Sequence, residues 1–165
     1  MGVTGAVCAQ DYDKARKAYA AKDYATALKE WRFLAERGNK NAQFMLASMY
    51  ESGEGVAQNH KEAIFWYRKG AEQGDSWHQY NLAQKIKRGE GVVQDFNEAM
   101  ILYRKAAEQG LLPAQVAIGR MYKDGQGVKQ DYKEAIAWFR KAAEKDYEIA
   151  QLMLGRMYKD GQGVV

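Results

Sequence analysis

Cysteine, proline and histidine are nearly absent from this chain, and each scarcity removes a class of answer. One cysteine, Cys8, in 165 residues excludes an intrachain disulfide framework and any cysteine-based zinc site. The two histidines, His60 and His78, have no second ligand type at metal spacing, so no metal and no cofactor is expected. One proline, Pro113, and the lack of Val, Ile and Thr runs leave little from which to build a sheet. No apolar run approaches the roughly 18 residues that a membrane span needs, so none is expected. An excess of one charge is missing too: 25 Lys and Arg stand against 21 Asp and Glu, for a net charge of +4. The two signs are interspersed, which suits a solvated surface rather than a nucleic-acid footprint, and no nucleic-acid partner is expected. What is abundant is Ala, Lys, Glu, Gln, Leu, Met and Tyr, a composition that favours helices.

The start of the chain has a different character. Gly2 to Ala9 is small, apolar and uncharged, and Val7-Cys8-Ala9 before Gln10 matches the small-x-small end of a secretory signal peptide. The positively charged start and most of the apolar core of such a peptide are missing. Residues 1–10 therefore read as a signal remnant, which implies a periplasmic or secreted protein, or as a disordered tail, which leaves a cytoplasmic one.

Glycine supplies the organising pattern. The stretch GRMYKDGQGV at Gly119 to Val128 returns letter for letter at Gly155 to Val164, 36 residues later. The same step links Gly53 and Gly55 to Gly89 and Gly91, and these to Gly125 and Gly127. A fixed period of this size marks a stacked-repeat architecture. Ahead of each turn, Ala42, His78, Ala114 and Ala150 share one column and Leu46, Leu82, Ile118 and Leu154 another, with a small residue (Ala47, Ala83, Gly119, Gly155) beside the latter. This spacing places one face of a first helix against a neighbour at close approach.

After each turn Asn59, Asp95 and Asp131 are N-cap residues for a second helix, and Glu62, Glu98 and Glu134 three residues later complete a capping box. The second helix carries Trp66 and Tyr67, then Leu102 and Tyr103, then Trp138 and Phe139. It ends at Gly74, at Gly110 and, irregularly, at Asp146-Tyr147. The first hairpin, residues 11–39, has Asp23 as a cap and an Ala27, Trp31, Leu34, Ala35 stripe but no double glycine. Full repeats follow at 42–75, 78–111 and 114–147, with a half repeat at 150–165.

The A-x-x-x-L-G-x-x-Y first helix, the G-x-G-V turn and the D-x-x-x-A-x-x-W-Y-x-x-A-A-x-x-G second helix resemble the Sel1-like repeat, a relative of the tetratricopeptide repeat. Residues 114–146 match nearly every position, and Ile86 and Leu102 are the departures in the unit before. The first hairpin resembles a plain tetratricopeptide repeat. The resemblance implies an all-α right-handed solenoid of antiparallel helix pairs with a 36-residue period. It also implies a bacterial adaptor or assembly scaffold.

No catalytic set emerges from the residues, so no enzyme is expected. The glycine turns lie between helices, without the Lys-Ser/Thr of a nucleotide loop, and serve chain reversal through positive φ. The aromatic columns read as packing between hairpins. Trp77-His78 breaks the period, and His78, where other units carry alanine, reads as filling space or as marking a local opening.

By analogy with tetratricopeptide arrays, the concave face holds Phe44, Ser48, Glu51 and Ser52. It continues with Tyr80, Gln84, Lys87 and Arg88, then Val116, Arg120, Lys123 and Asp124, then Leu152, Arg156, Lys159 and Asp160. An apolar line, Phe44-Tyr80-Val116-Leu152, would run beside a polar line that turns basic toward the C-terminus. Such a groove suits a protein or peptide with an apolar stripe and acidic residues. Leu152, Met153 and Met157 give the half repeat no polar outer face, which implies either that the natural chain continues or that this end self-associates with another copy. Two rival functions remain: binding or hydrolysis of a β-lactam or cell-wall fragment, as in cysteine-rich secreted relatives whose disulfide cysteines are missing here, and RNA binding by a repeat code.

Overall fold

The computed structural model describes the backbone of residues 3–163 and the side chains of 11–163. Among them every regular element is a helix: α1 (Val3–Ala20), α2 (Tyr24–Glu36), α3 (Lys40–Ser52), α4 (His60–Glu72), α5 (Ser76–Arg88), α6 (Phe96–Glu108), α7 (Leu112–Asp124), α8 (Tyr132–Ala143) and α9 (Glu148–Lys159). The all-α reading holds. The start differs: α1 begins at Val3 rather than Asp11, so residues 3–10, expected as a signal remnant or a disordered tail, extend its backbone. The side chains of Val7, Cys8 and Ala9 lie outside the described residues.

The chain forms two compact units, residues 1–78 and 79–165, so that α5 straddles the boundary. In the first, α1 packs on α2, α2 on α3 and α3 on α4; in the second, α6 packs on α7, α7 on α8 and α8 on α9. Each unit is therefore a series of helical hairpins. The columns read from the period are its core. Trp31, Leu34 and Leu46 are fully buried in the first unit, and Ile118, Met121 and Phe139 in the second. Full burial of such side chains contributes about 1.5–3 kcal/mol each.

The capping residues behave as their chemistry dictates. Asn59, Asp95 and Asp131 each accept two backbone N–H bonds from the first turn of the helix they open. The amide that the reciprocal half of a capping box would engage has another acceptor at Asn59 and Asp131. The N-cap amide instead donates back to the preceding helix, Asn59 to the Tyr50 carbonyl at 2.8 Å and Asp131 to the Tyr122 carbonyl at 2.9 Å. A tight turn returns the chain against its own first helix, so a carbonyl is closer than the glutamate. Gln58, Gln94 and Gln130 brace the same turn, each Nε2 donating at 2.8 Å to the carbonyl of residue 51, 87 or 123. Asp131→Ala is expected to cost about 1 kcal/mol in urea unfolding, and Asp131→Asn to be near neutral, because asparagine caps equally well.

Candidate functional site

The four residues singled out on α5, Tyr80, Gln84, Lys87 and Arg88, stand at i, i+4, i+7 and i+8, one stripe of a helix. On α7, Pro113, Val116, Ala117 and Arg120 make the matching stripe. The two stripes meet in one pocket of the second unit, completed by Tyr103 from α6 and by Tyr147 and Ile149 at the start of α9. Its volume is about 110 Å³. Pro113 in the first turn of α7 removes an amide that had no intrahelical partner and pre-sets the helix start that carries Val116 and Arg120.

The pocket is electropositive. Lys87, Arg88 and Arg120 line it, and no acidic residue does. Burial depresses the Lys87 ammonium below the ordinary lysine range, and the nearby charges of Arg88 and Arg120 depress it further, against Asp124, which favours the charge. The Asp124 carboxylate is engaged by Lys123 Nζ at 2.9 Å. Three phenols share this space. Burial raises the Tyr80 hydroxyl, with Tyr147 adding to the rise while Arg88 and Arg120 oppose it. Burial likewise raises the Tyr103 hydroxyl, against the same two arginines. The Tyr80 and Tyr103 rings lie 5.8 Å apart at 53°.

Six of the sixteen expected residues thus come together, and ten do not. The apolar line is largely packing. Val116 is 4% exposed and belongs to the core of the second unit, whereas Leu152 is 52% exposed and outside the pocket. Phe44 packs edge-on to Tyr67 at 5.8 Å and to His78 at 5.5 Å in the first unit. Ser48 is half-buried there, Glu51 accepts from the Tyr67 hydroxyl at 2.9 Å, and Ser52 bonds the Met49 carbonyl. Lys123 is tied to Asp124, while Arg156, Lys159 and Asp160 are exposed on and beyond the last turn of α9.

The pocket residues that the periodic reading missed are Tyr103, Pro113, Ala117, Tyr147 and Ile149. Tyr147 and Ile149 left a signal. They stand in the columns of Asn39, Asp75 and Leu111, and of Asn41, Trp77 and Pro113, where the period is loosest. A second omission is an arginine column. Arg32 donates to Tyr50, Arg104 to Tyr122 at 2.7 Å and Arg140 to Tyr158 at 3.0 Å, tying α2 to α3, α6 to α7 and α8 to α9.

A separate cavity of about 390 Å³ in the first unit is lined by Phe44, Trp77 and His78 with Tyr12, Asn41, Met45 and Asp75. His78 is 2% exposed, and its Nδ1 lies 2.8 Å from the Asp75 carboxylate, which also caps α5 by accepting from the Trp77 and His78 amides. The ring takes the space that a side chain at Gly70 would need, since a Cβ there would lie 2.1 Å from His78 Cδ2. His78 is therefore a packing residue, as its place in the alanine column predicts. Among the described residues no group of three or more His, Cys, Asp or Glu is arranged to hold a metal, and no helix is long and apolar enough to cross a membrane.

The comparisons with known proteins agree with this architecture. A crystal structure of a protective antigen present in uropathogenic Escherichia coli strains and displaying an SLR fold is 35% identical, with a TM-score of 0.90 over 95% of this chain. A Sel1 repeat protein from Oxalobacter formigenes is also 35% identical, with a TM-score of 0.81 over 93% of this chain. The chain spans 34% and 63% of the lengths of these two relatives. The cysteine-rich protein B of Helicobacter pylori, at 22% identity and a TM-score of 0.62, shares the fold over 80% of this chain and 95% of its own. No curated protein matches. The model of the Sel1 repeat matches residues 40–75, 79–111, 112–147 and 149–165, most of the chain, and the protein belongs to the Sel1 repeat family.

Proposed function

We propose that this chain is a non-catalytic interaction module that binds a protein partner through the pocket-bearing face of its second unit. Sel1-repeat scaffolds are generally protein-interaction modules. The observation that carries the reading is the convergence of the α5 and α7 stripes on one pocket. Tyr80, Gln84, Lys87, Arg88 and Arg120 line it together. Periodicity alone requires none of them, because the packing columns are filled by Leu82, Ile86, Ile118 and Met121. Tyrosine and arginine are also the residues that concentrate binding energy at interfaces.

The test is capture from a native extract on immobilised protein, with the bound proteins identified by mass spectrometry. Arg120→Glu is expected to reduce the specific partner by roughly tenfold, as loss of a charged contact does, while the thermal midpoint stays put. Lys105→Glu, on an exposed face of α6 outside the pocket, serves as the matched charge reversal. Equal capture by both variants and the parent protein would rule the assignment out.

A further inference from the structure

We propose that the pocket between α5 and α7 is an oxyanion site that takes an acidic side chain of a polypeptide partner, with a neighbouring carboxylate of the same segment on Arg88 at the rim. This deepens the interaction-module reading and rests on it.

The first argument is charge. Lys87, Arg88 and Arg120 line the pocket without an acidic residue among its walls. Lys87 is half-buried, and neither its ammonium nor the Arg120 guanidinium has a hydrogen bond or ion pair among the described residues. Arg88 makes one loose contact, 3.5 Å to Glu90, whose other oxygen is held by Lys85 at 2.6 Å. Half-buried Lys87 is repelled by the like charges of the exposed Arg88 and Arg120, and a bound anion replaces that repulsion with attraction. This is the reverse of the chain's usual habit, seen where Lys85 meets Glu90, Lys14 meets Glu30 and Lys123 meets Asp124.

The second argument is size. A pocket of about 110 Å³ is well below the roughly 300–1,000 Å³ of sites that engulf a small-molecule ligand. It admits one headgroup and leaves the rest of the ligand outside, the geometry of a side chain presented by a longer chain. Ile149, 43% exposed at the rim beside Pro113, offers apolar contact to the stem of such a side chain. The third argument is parsimony of chemistry. Carboxylates are the oxyanions that polypeptides carry unmodified, and an adjacent pair sets two negative charges against the three cations.

The experiment uses the full chain and N-acetyl-Glu-Glu-amide as the probe, followed by NMR of the lysine and arginine side chains. Inorganic phosphate and N-acetyl-Gln-Gln-amide form parallel arms. Saturable shifts at Lys87, Arg88 and Arg120 with the diglutamate are expected, and none with the diglutamine. Lys87→Gln is expected to weaken binding roughly tenfold, the worth of one hydrogen bond to a charged group. The same variant is expected to melt at or above the parent temperature, because it removes a repelling charge, and this readout separates a binding role from a structural one. Lys133→Gln, on exposed α8, should leave binding unchanged.

Shifts spread evenly over the surface lysines, or undiminished diglutamate binding by Lys87→Gln, would overturn the proposal. Tighter binding of phosphate than of diglutamate would overturn the carboxylate assignment. If the probe binds as expected while partner capture ignores Arg120, the pocket stands and the module reading falls.

Discussion

Gly127→Ala should destabilise the protein by roughly 2–5 kcal/mol, and Gly125→Ala, two residues away in the same turn, by about 1–2 kcal/mol. Both glycines have positive φ, 68° at Gly125 and 70° at Gly127, so both substitutions incur the left-handed cost. Their surroundings differ. A Cβ on Gly125 would meet Gln130 Cβ at 3.4 Å, an ordinary contact. A Cβ on Gly127 would sit 2.6 Å from Phe96 Cβ and 3.0 Å from the Phe96 carbonyl carbon. A flexible side chain can swing away from a new methyl, whereas the backbone at the start of α6 cannot move without shifting the helix. The overpacking penalty of about 1–3 kcal/mol therefore adds to the conformational one. Gly55 against Tyr24 and Gly163 against Tyr132 repeat the arrangement, at 2.2 Å and 2.8 Å to the tyrosine Cβ. Urea unfolding followed by circular dichroism measures both variants, and equal losses would refute the close-approach account.

Phe139→Ala is expected to cost about 3–5 kcal/mol, since the ring is fully buried and a cavity would remain. The more discriminating result concerns its neighbour. A Cβ on Gly119 would lie 2.6 Å from Phe139 Cε1, so Gly119→Ala alone is expected to destabilise by about 1–3 kcal/mol. In the Phe139→Ala background the ring is gone, and the same change should become neutral or favourable through helix propensity, worth about 0.5–1 kcal/mol. The two substitutions should therefore couple rather than add. Gly155 occupies the matching position of the second GRMYKDGQGV, with nothing within 4 Å of its would-be Cβ. Gly155→Ala should stabilise this chain by about 0.5–1 kcal/mol. One decapeptide thus carries one substitution of opposite sign in its two copies. Additive losses for Phe139 and Gly119 would show that the ring does not set the need for glycine.

Sequence alone reveals period, helix limits and core here because each depends on local chemistry repeated at fixed spacing. Asp131 caps α8 wherever its neighbours lie, and Leu82 or Ile118 is buried by the helix face it occupies. Two things escape such a reading. One is the partner of a glycine. The columns show that Gly127 needs positive φ, but not that Phe96 lies against it, because that contact joins a turn to an earlier helix. The other is compensation between columns. Gly70 stands where other units carry Leu34, Ala106 and Ala142, and His78 where they carry Ala42, Ala114 and Ala150. Each departure is legible by itself, and only the geometry shows that they form one exchange of volume. The site divided in the same way. The α5 stripe was legible as i, i+4, i+7 and i+8, but Val116 proved to be core, and Tyr147 and Ile149 entered from the start of α9, ahead of its periodic columns.

The seating of Gly55, Gly127 and Gly163 on the residue that opens the preceding second helix also limits how such a gene can grow. In Gly55, Gly127 and Gly163 the turn is completed by chain from the repeat before it. A crossover that adds or removes one full period, wherever its breakpoints fall, restores a glycine to an aromatic helix start. A crossover that changes the length by a fraction of a period sets a glycine against the wrong residue and leaves a helix start uncovered. Repeat number can therefore drift between alleles while repeat length stays locked.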